Sequence, residues 1–192
     1  MFDYVIQFWA LALVIFVVLL ELLTRAIDQK KEAKNKFSFE TMPVLQPVRI
    51  PTEGKGVVSA VWTWVMKSRK WRVAEDFYYK VNDVDYVIPE GFVCNVASIP
   101  KFLRAVISPT GILLVGALVH DHGYKYTTLR YADGSETPRL DQKYLDQLFR
   151  DINIQVNGFK AINHVAYYAL RLFGWVAWIK HRIEDKNGIK NE

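Results

Sequence analysis

The hexapeptide Val119-His120-Asp121-His122-Gly123-Tyr124 sets two imidazoles and a carboxylate directly behind an apolar stretch, residues 111–119. A run that apolar packs in a core, so the polar groups at its end stand at the core's edge. There they need partners, because a buried carboxylate or imidazole without one is costly. His120 and Tyr124 are four residues apart and share a helix face, while Asp121 points about 100° away from His120. Further on, Asp146 and Phe149 share a face, with Arg139 and Arg150 near the ends of their segment. Asp146 is the group placed to accept the second ring N–H of His120. Such a bond fixes the tautomer and raises basicity, which a general base requires. His164, Tyr168 and Arg171 follow at i, i+4 and i+7, a second polar and aromatic stripe.

Three chemistries could use this set. A divalent-metal phosphohydrolase built on a histidine–aspartate pair needs a further histidine upstream, and none precedes His120. A structural zinc site wants Cys and His paired at short spacing, which a lone Cys94 does not supply. A histidine base buttressed by Asp146, with Asp121 binding Ca²⁺ through oxygen, stays open and would activate water against an ester. The same residues also fit a satisfied network that locks helices together without chemistry.

The elements that must carry these groups can be read from the rest of the chain. Of 192 residues, 51% are apolar and 14% aromatic, ample for a core and against a disordered chain. The net charge of +5 suits an anionic membrane surface as well as nucleic acid and alone decides neither, though nucleic acid is not the expected partner. A single cysteine rules out an intrachain disulfide and suits a reducing compartment.

Tyr4 to Leu23 holds only Gln7 and Glu21 as polar residues. As a helix it would span about 30 Å, the thickness of a bilayer's hydrocarbon core. No small-x-small cleavage site follows and no basic start precedes it, so residues 1–25 are expected to be an uncleaved transmembrane anchor. Arg25, Lys30, Lys31, Lys34 and Lys36 after it place the C-terminal domain in the cytoplasm. Residues 26–56 read as a charged, Pro-containing linker. Its early part would extend the membrane helix as a stalk, and Met42 to Pro51 would be extended.

Residues 57–186 then read as one α+β domain, with 187–192 as a tail. Trp62, Trp64 and Trp71 among basic residues fit the edge of a small sheet better than a membrane interface or a base-stacking surface. Arg72–Val81 and Val84–Val93 predict a β-hairpin turning at Asn82-Asp83. Four helices follow: from Ser98, a capping residue ahead of Pro100, to about Ile107; Ile112–Tyr126; Arg139–Val156, closed by Asn157-Gly158; and Phe159–Glu184. The loop from Thr127 to Pro138 turns at Asp133-Gly134. In the last helix Ala161, Val165, Tyr168 and Leu172 predict one buried face, and Gly174 a bend.

Four ordered motifs carry a resemblance. They are Pro89-Glu-Gly91-Phe92-Val-Cys94-Asn95-Val-Ala97-Ser98-Ile99-Pro100, His120-Asp121-His-Gly-Tyr124, Leu145-Asp146-Gln-Leu-Phe149 and Tyr168-Ala-Leu-Arg171-Leu-Phe173-Gly174. Together, over about Trp71 to Trp178, they resemble a domain-of-unknown-function family, number 1353, common in tailed phages and prophages. The resemblance marks Tyr124, Cys94, Asn95, Ser98, Tyr168 and Arg171 as further candidate site residues. Where that family has Thr-Asp, this chain has Cys94-Asn95. A fainter similarity links His120-Asp121-x-Gly-Tyr124 and Asp146-x-x-Phe149 to the two-helix core of bacterial phospholipases A2. Carried over, it implies His120 as base, Asp121 as Ca²⁺ ligand and Asp146 as the base's support. No cysteine pairs staple the helices here, and only Ser108-Pro109-Thr110-Gly111 stands where a Ca²⁺ loop would. Two functions follow as expectations: a membrane-anchored hydrolase of ester or phospholipid, or a non-catalytic phage protein of virion assembly or of the host membrane, with a phage or host protein as partner.

Overall fold

The computed structural model describes residues 2–27, 35–49, 70–95 and 113–187, with positions 54, 56, 57, 59 and 111 between them. In chain order the elements are α1 (Phe2–Ile27), β1 (Phe37–Phe39), β2 (Leu45–Pro47), β3 (Trp71–Val73), β4 (Phe77–Val81), β5 (Val84–Ile88), β6 (Val93–Cys94), α2 (Leu114–Tyr126), α3 (Gln142–Asn157) and α4 (Lys160–Lys186). The expected helix from Ser98 and most of the tryptophan-rich segment fall outside the described residues.

The fold is α+β, with two three-stranded antiparallel sheets, β1-β4-β5 and β2-β3-β6. The hairpin is present as β4 and β5. Its two-residue turn, Asn82-Asp83, has φ of 53° and 63°, the mirror-image turn whose twist matches that of the strands. The expected hairpin is nevertheless split. Its outer ends pair with each other as β3 and β6, Trp71 opposite Cys94, in the second sheet. The break sits where Pro89 lacks an N–H and Gly91 takes φ of +84°, a conformation that glycine adopts freely. Asp76 Oδ1 holds the bend by accepting the Glu90 N–H at 2.7 Å.

Residues 26–56, expected to be a linker, instead add a strand to each sheet. β1 pairs Phe37 with Val81, and β2 pairs Leu45 with Val73. Within the stretch expected to be extended, Leu45–Pro47 is held by ladder pairing with β3 rather than by proline alone.

Alternation along β4 turns Phe77, Tyr79 and Val81 inward. They pack with Phe37 against Val115, Leu118 and Val119 of α2 and Leu145, Leu148 and Ile152 of α3. Glycines set how closely α2 and α3 approach: a Cβ on Gly123 would lie 2.5 Å from Leu145 Cδ2, and one on Gly116 would collide with the Asn153 side chain. Asp141 caps α3 by accepting the Tyr144 N–H at 2.7 Å, and Gly158, at φ of +72°, ends it as expected.

One expectation about the last helix is corrected. The stripe expected to be buried on α4 turns outward beyond Ala161: Val165, Tyr168 and Leu172 are 43%, 60% and 66% exposed. The buried side is instead Ile162, Ala166 and Leu170, against Leu113 and Phe149. The reason is competition for the inner face, which Arg171 takes through a buried carboxylate described below. The helix itself runs unbroken through Gly174, from Lys160 to Lys186.

The expected transmembrane anchor does form a helix, α1. Among the described residues, however, no helix is long and apolar enough to cross a membrane. Nor is α1 a free stalk. Glu21 is buried, and its carboxylate accepts the N–H groups of Lys160 and Ala161 at 3.0 and 2.8 Å. An acidic side chain thereby satisfies the free donors of the first turn of α4. Arg25 bonds Glu21 at 2.8 Å and the Gly158 carbonyl at 3.1 Å.

Candidate functional site

The polar groups at the edge of the core gather around one carboxylate, Asp146. Its helix, α3, lies close to α2 because Gly123 carries no side chain, and this brings the two functional faces within reach. His120 Nε2 is 2.9 Å from Asp146 Oδ1. The Tyr124 hydroxyl donates to the same oxygen at 2.6 Å, and Arg171 Nη1 donates to Oδ2 at 2.6 Å. Three elements, α2, α3 and α4, meet at this residue. Asp146 is fully buried and His120 is 6% exposed.

The network settles the tautomer. An ionised carboxylate only accepts, so His120 Nε2 carries the proton and Nδ1 is left free of this bond. Nδ1 faces Asp121, whose Oδ1 lies 4.0 Å away, beyond a direct hydrogen bond. Asp121 Oδ2 accepts the Asn95 N–H at 3.0 Å, which ties the end of β6 to α2. The His120 ring lies 3.9 Å from the Tyr124 ring between centroids and meets Phe149 edge-on at 5.5 Å. Imidazole motion is thus blocked on two sides.

Burial works against a charge on His120, but the Asp121 and Asp146 carboxylates outweigh it and raise its pKa above the ordinary 6.5. Burial likewise works against ionised Asp146, yet His120, Tyr124 and Arg171 together hold its pKa below the usual carboxylate value. Burial and the bond to Asp146 push the Tyr124 hydroxyl upward, so it remains a donor. Burial drives His122 down to about 4; this imidazole packs against Phe92 and Tyr126, at 5.1 and 4.9 Å, away from Asp146.

Of the residues singled out in the sequence, His120, Asp121, Tyr124, Asp146, Arg171 and Asn95 are brought together. Cys94 is buried one residue from this contact, its Sγ 3.6 Å from the Trp71 carbonyl. Ser98 lies outside the described residues. Tyr168 is a correction. It is exposed and stands against Tyr167, its ring centroid 5.2 Å away, on the side of α4 that carries Val165 and Leu172. Asp121 gains no metal partners: among the described residues no group of three or more His, Cys, Asp or Glu side chains could hold a metal ion.

Four contributors escaped the sequence reading. Gln142 Nε2 donates to the Tyr124 hydroxyl at 3.1 Å. Gly174 leaves room for that hydroxyl, since a Cβ there would lie 2.8 Å from it. Trp178 meets the Tyr124 ring edge-on at 5.2 Å. Arg182 Nη2 donates to the carbonyls of Tyr124 and Lys125 at 2.8 and 2.9 Å, a cation on the C-terminus of α2. The spacing Arg171, Gly174, Trp178, Arg182 was the available signal, one helix face three and four residues apart.

The arrangement can hold an imidazole rigidly, keep its Nε2 proton in place, and leave Nδ1 as the titrating atom. A family model described as a protein of unknown function (DUF1353) matches residues 71–170. That range takes in β3 to β6, all of α2 and α3, and α4 up to the residue before Arg171. No curated protein and no solved structure matches the chain.

Proposed function

We propose, on the premise that the chain belongs to the DUF1353 family of proteins of unknown function, that it is a hydrolase in which His120 Nδ1 takes a proton from water attacking an ester. One observation carries this reading: His120 Nε2 sits 2.9 Å from a carboxylate that two further donors already hold in place. Asp146 orients the ring and stabilises the imidazolium that forms as water is deprotonated. Asp121, beside Nδ1, adds negative potential there. Ca²⁺ on Asp121 would need ligands beyond the described side chains and is no part of the step.

The test is turnover of short-chain esters and phospholipids across pH. A base must be neutral, so activity is expected to rise with pH through a value above 6.5, the direction of the His120 shift. His120→Ala is expected to abolish turnover while the fold remains. A flat pH profile, or turnover that survives His120→Ala, would sink the reading.

The second reading is favoured by burial, since Asp146 is fully buried and His120 nearly so. Here the cluster is a lock between α2, α3 and α4 in a non-catalytic phage or prophage protein, acting in virion assembly or at the host membrane. It expects no turnover on any ester, His120→Ala and Asp146→Ala proteins that are chiefly unstable, and a protein partner that co-purifies.

A further inference from the structure

Of 25 large hydrophobic side chains exposed among the described residues, ten lie on α1 and eight on α4. On α4 they form one stripe, Val165, Tyr168, Leu172, Val176, Ile179 and Ile183, each 43–66% exposed. The steps of three and four residues keep them on one face, about 27 Å long at 1.5 Å per residue. The opposite face is held to the domain throughout that length: Ala166 by Phe149, Arg171 by Asp146, Gly174 by Tyr124 and Arg182 by the end of α2. A helix covered along one side cannot be immersed end-on. It can only lie flat on whatever covers its apolar side.

On α1 the exposed residues include Val14, Ile15 and Phe16 in succession, then Val18 and Leu19. Successive residues are about 100° apart, so α1 is apolar around its circumference, the pattern of a helix surrounded by protein core or lipid. Glu21 pins its C-terminal end to the start of α4, which joins the two apolar surfaces. Charge selects between covers. The chain carries +5, and Lys180, with 71% of its side chain exposed and its ammonium 3.7 Å from the Glu184 carboxylate, flanks the α4 stripe. Trp175, 53% exposed, and Tyr168 are the amphipathic aromatics that favour the headgroup level. Apolar stripe, flanking cation and interfacial aromatics together match an anionic bilayer surface.

We infer that the outward face of α4, continuous with α1, is a lipid-docking surface on which the domain lies with α4 parallel to the bilayer plane. This goes beyond the proposed hydrolase and holds whether or not His120 is a base.

The test mixes the full chain with phosphatidylcholine vesicles, with and without phosphatidylglycerol, some made with brominated acyl chains. Bromolipid is expected to quench the tryptophan fluorescence, more so in anionic vesicles, and Trp175→Phe to remove part of that quenching. Leu172→Glu combined with Val176→Glu is expected to weaken the α4 contact about tenfold or more, read as lost quenching of Trp175. Thermal unfolding should be unchanged, since both side chains are already exposed. Quenching identical in the parent chain and in Trp175→Phe would overturn the inference, even if α1 alone still carried the protein to vesicles. A soluble dimer, seen by light scattering and split by the same double substitution, would overturn it in favour of a second copy as the cover.

Discussion

The two faces of α4 reverse the usual order of a surface helix. Its inner face carries Arg171, Gly174, Trp178 and Arg182, each engaged with α2 or with Asp146 of α3. Its outer face carries Leu172, Val176, Ile179 and Ile183, each about half exposed. An amphipathic helix in water normally does the opposite. Periodicity therefore locates two faces but does not say which is inside. Here one buried carboxylate decides: Asp146 cannot be left unpaired in a core, and Arg171 answers it.

Breaking the inner face should cost most where charge is stranded. Asp146→Ala leaves Arg171 and His120 without their acceptor, and is expected to lower unfolding free energy by about 3–5 kcal/mol, measured by urea titration. A smaller loss, about 1–3 kcal/mol, is expected for Gly174→Ala, because its Cβ would crowd the Tyr124 hydroxyl at 2.8 Å. Combining it with Tyr124→Phe should cost less than the two separate losses added together, since the hydroxyl that clashes is gone.

The pH dependence sharpens the same contrast. His120 has a raised pKa, so its contribution to stability is complete below 6.5 and fades as pH climbs through its folded value. Asp146 has a lowered pKa, so its contribution is present above the ordinary carboxylate value, 3.8, and is lost as acid takes pH through the folded value. Melting curves are expected to show the parent chain's advantage over His120→Gln shrinking above neutrality. An advantage that grew with pH would contradict the His120–Asp146 pairing. On the outer face effects should be least: Leu172→Ala is expected to shift stability by less than about 0.5 kcal/mol. Leu170→Ala, on the side packed with Leu113 and Phe149, should cost clearly more.

Much of the frame was legible because it rests on local chemistry. The turn at Asn82-Asp83, the cap at Asn157-Gly158 and the loop turn at Asp133-Gly134 were read from residues that tolerate positive φ or bond their own backbone, and the structure has all three. Asp146 as the acceptor for His120 was also legible, since a buried imidazole needs an acceptor and few acids lie on nearby helices. What failed depended on distant partners. The supposed linker became two strands because β3 and β4, far along the chain, offered open edges. The supposed anchor became a docked helix at its C-terminal end because Glu21 found the free amides of α4. Gln142, Gly174 and Arg182 were unreadable as site residues, since each acts on Tyr124 across helices.

The sequence by itself determined helices α2 to α4, the hairpin turn, the His120–Asp146 pair and the family, because these follow from propensity, periodicity and motif. Only the tertiary structure decided that Arg171 and Tyr124 complete Asp146, that Tyr168 is outside, and that the apolar stripe of α4 faces away from the core. The physical reason is that burial is a property of packing. A carboxylate inside a core dictates which face of a neighbouring helix must turn toward it, and no local pattern on that helix records where the carboxylate lies.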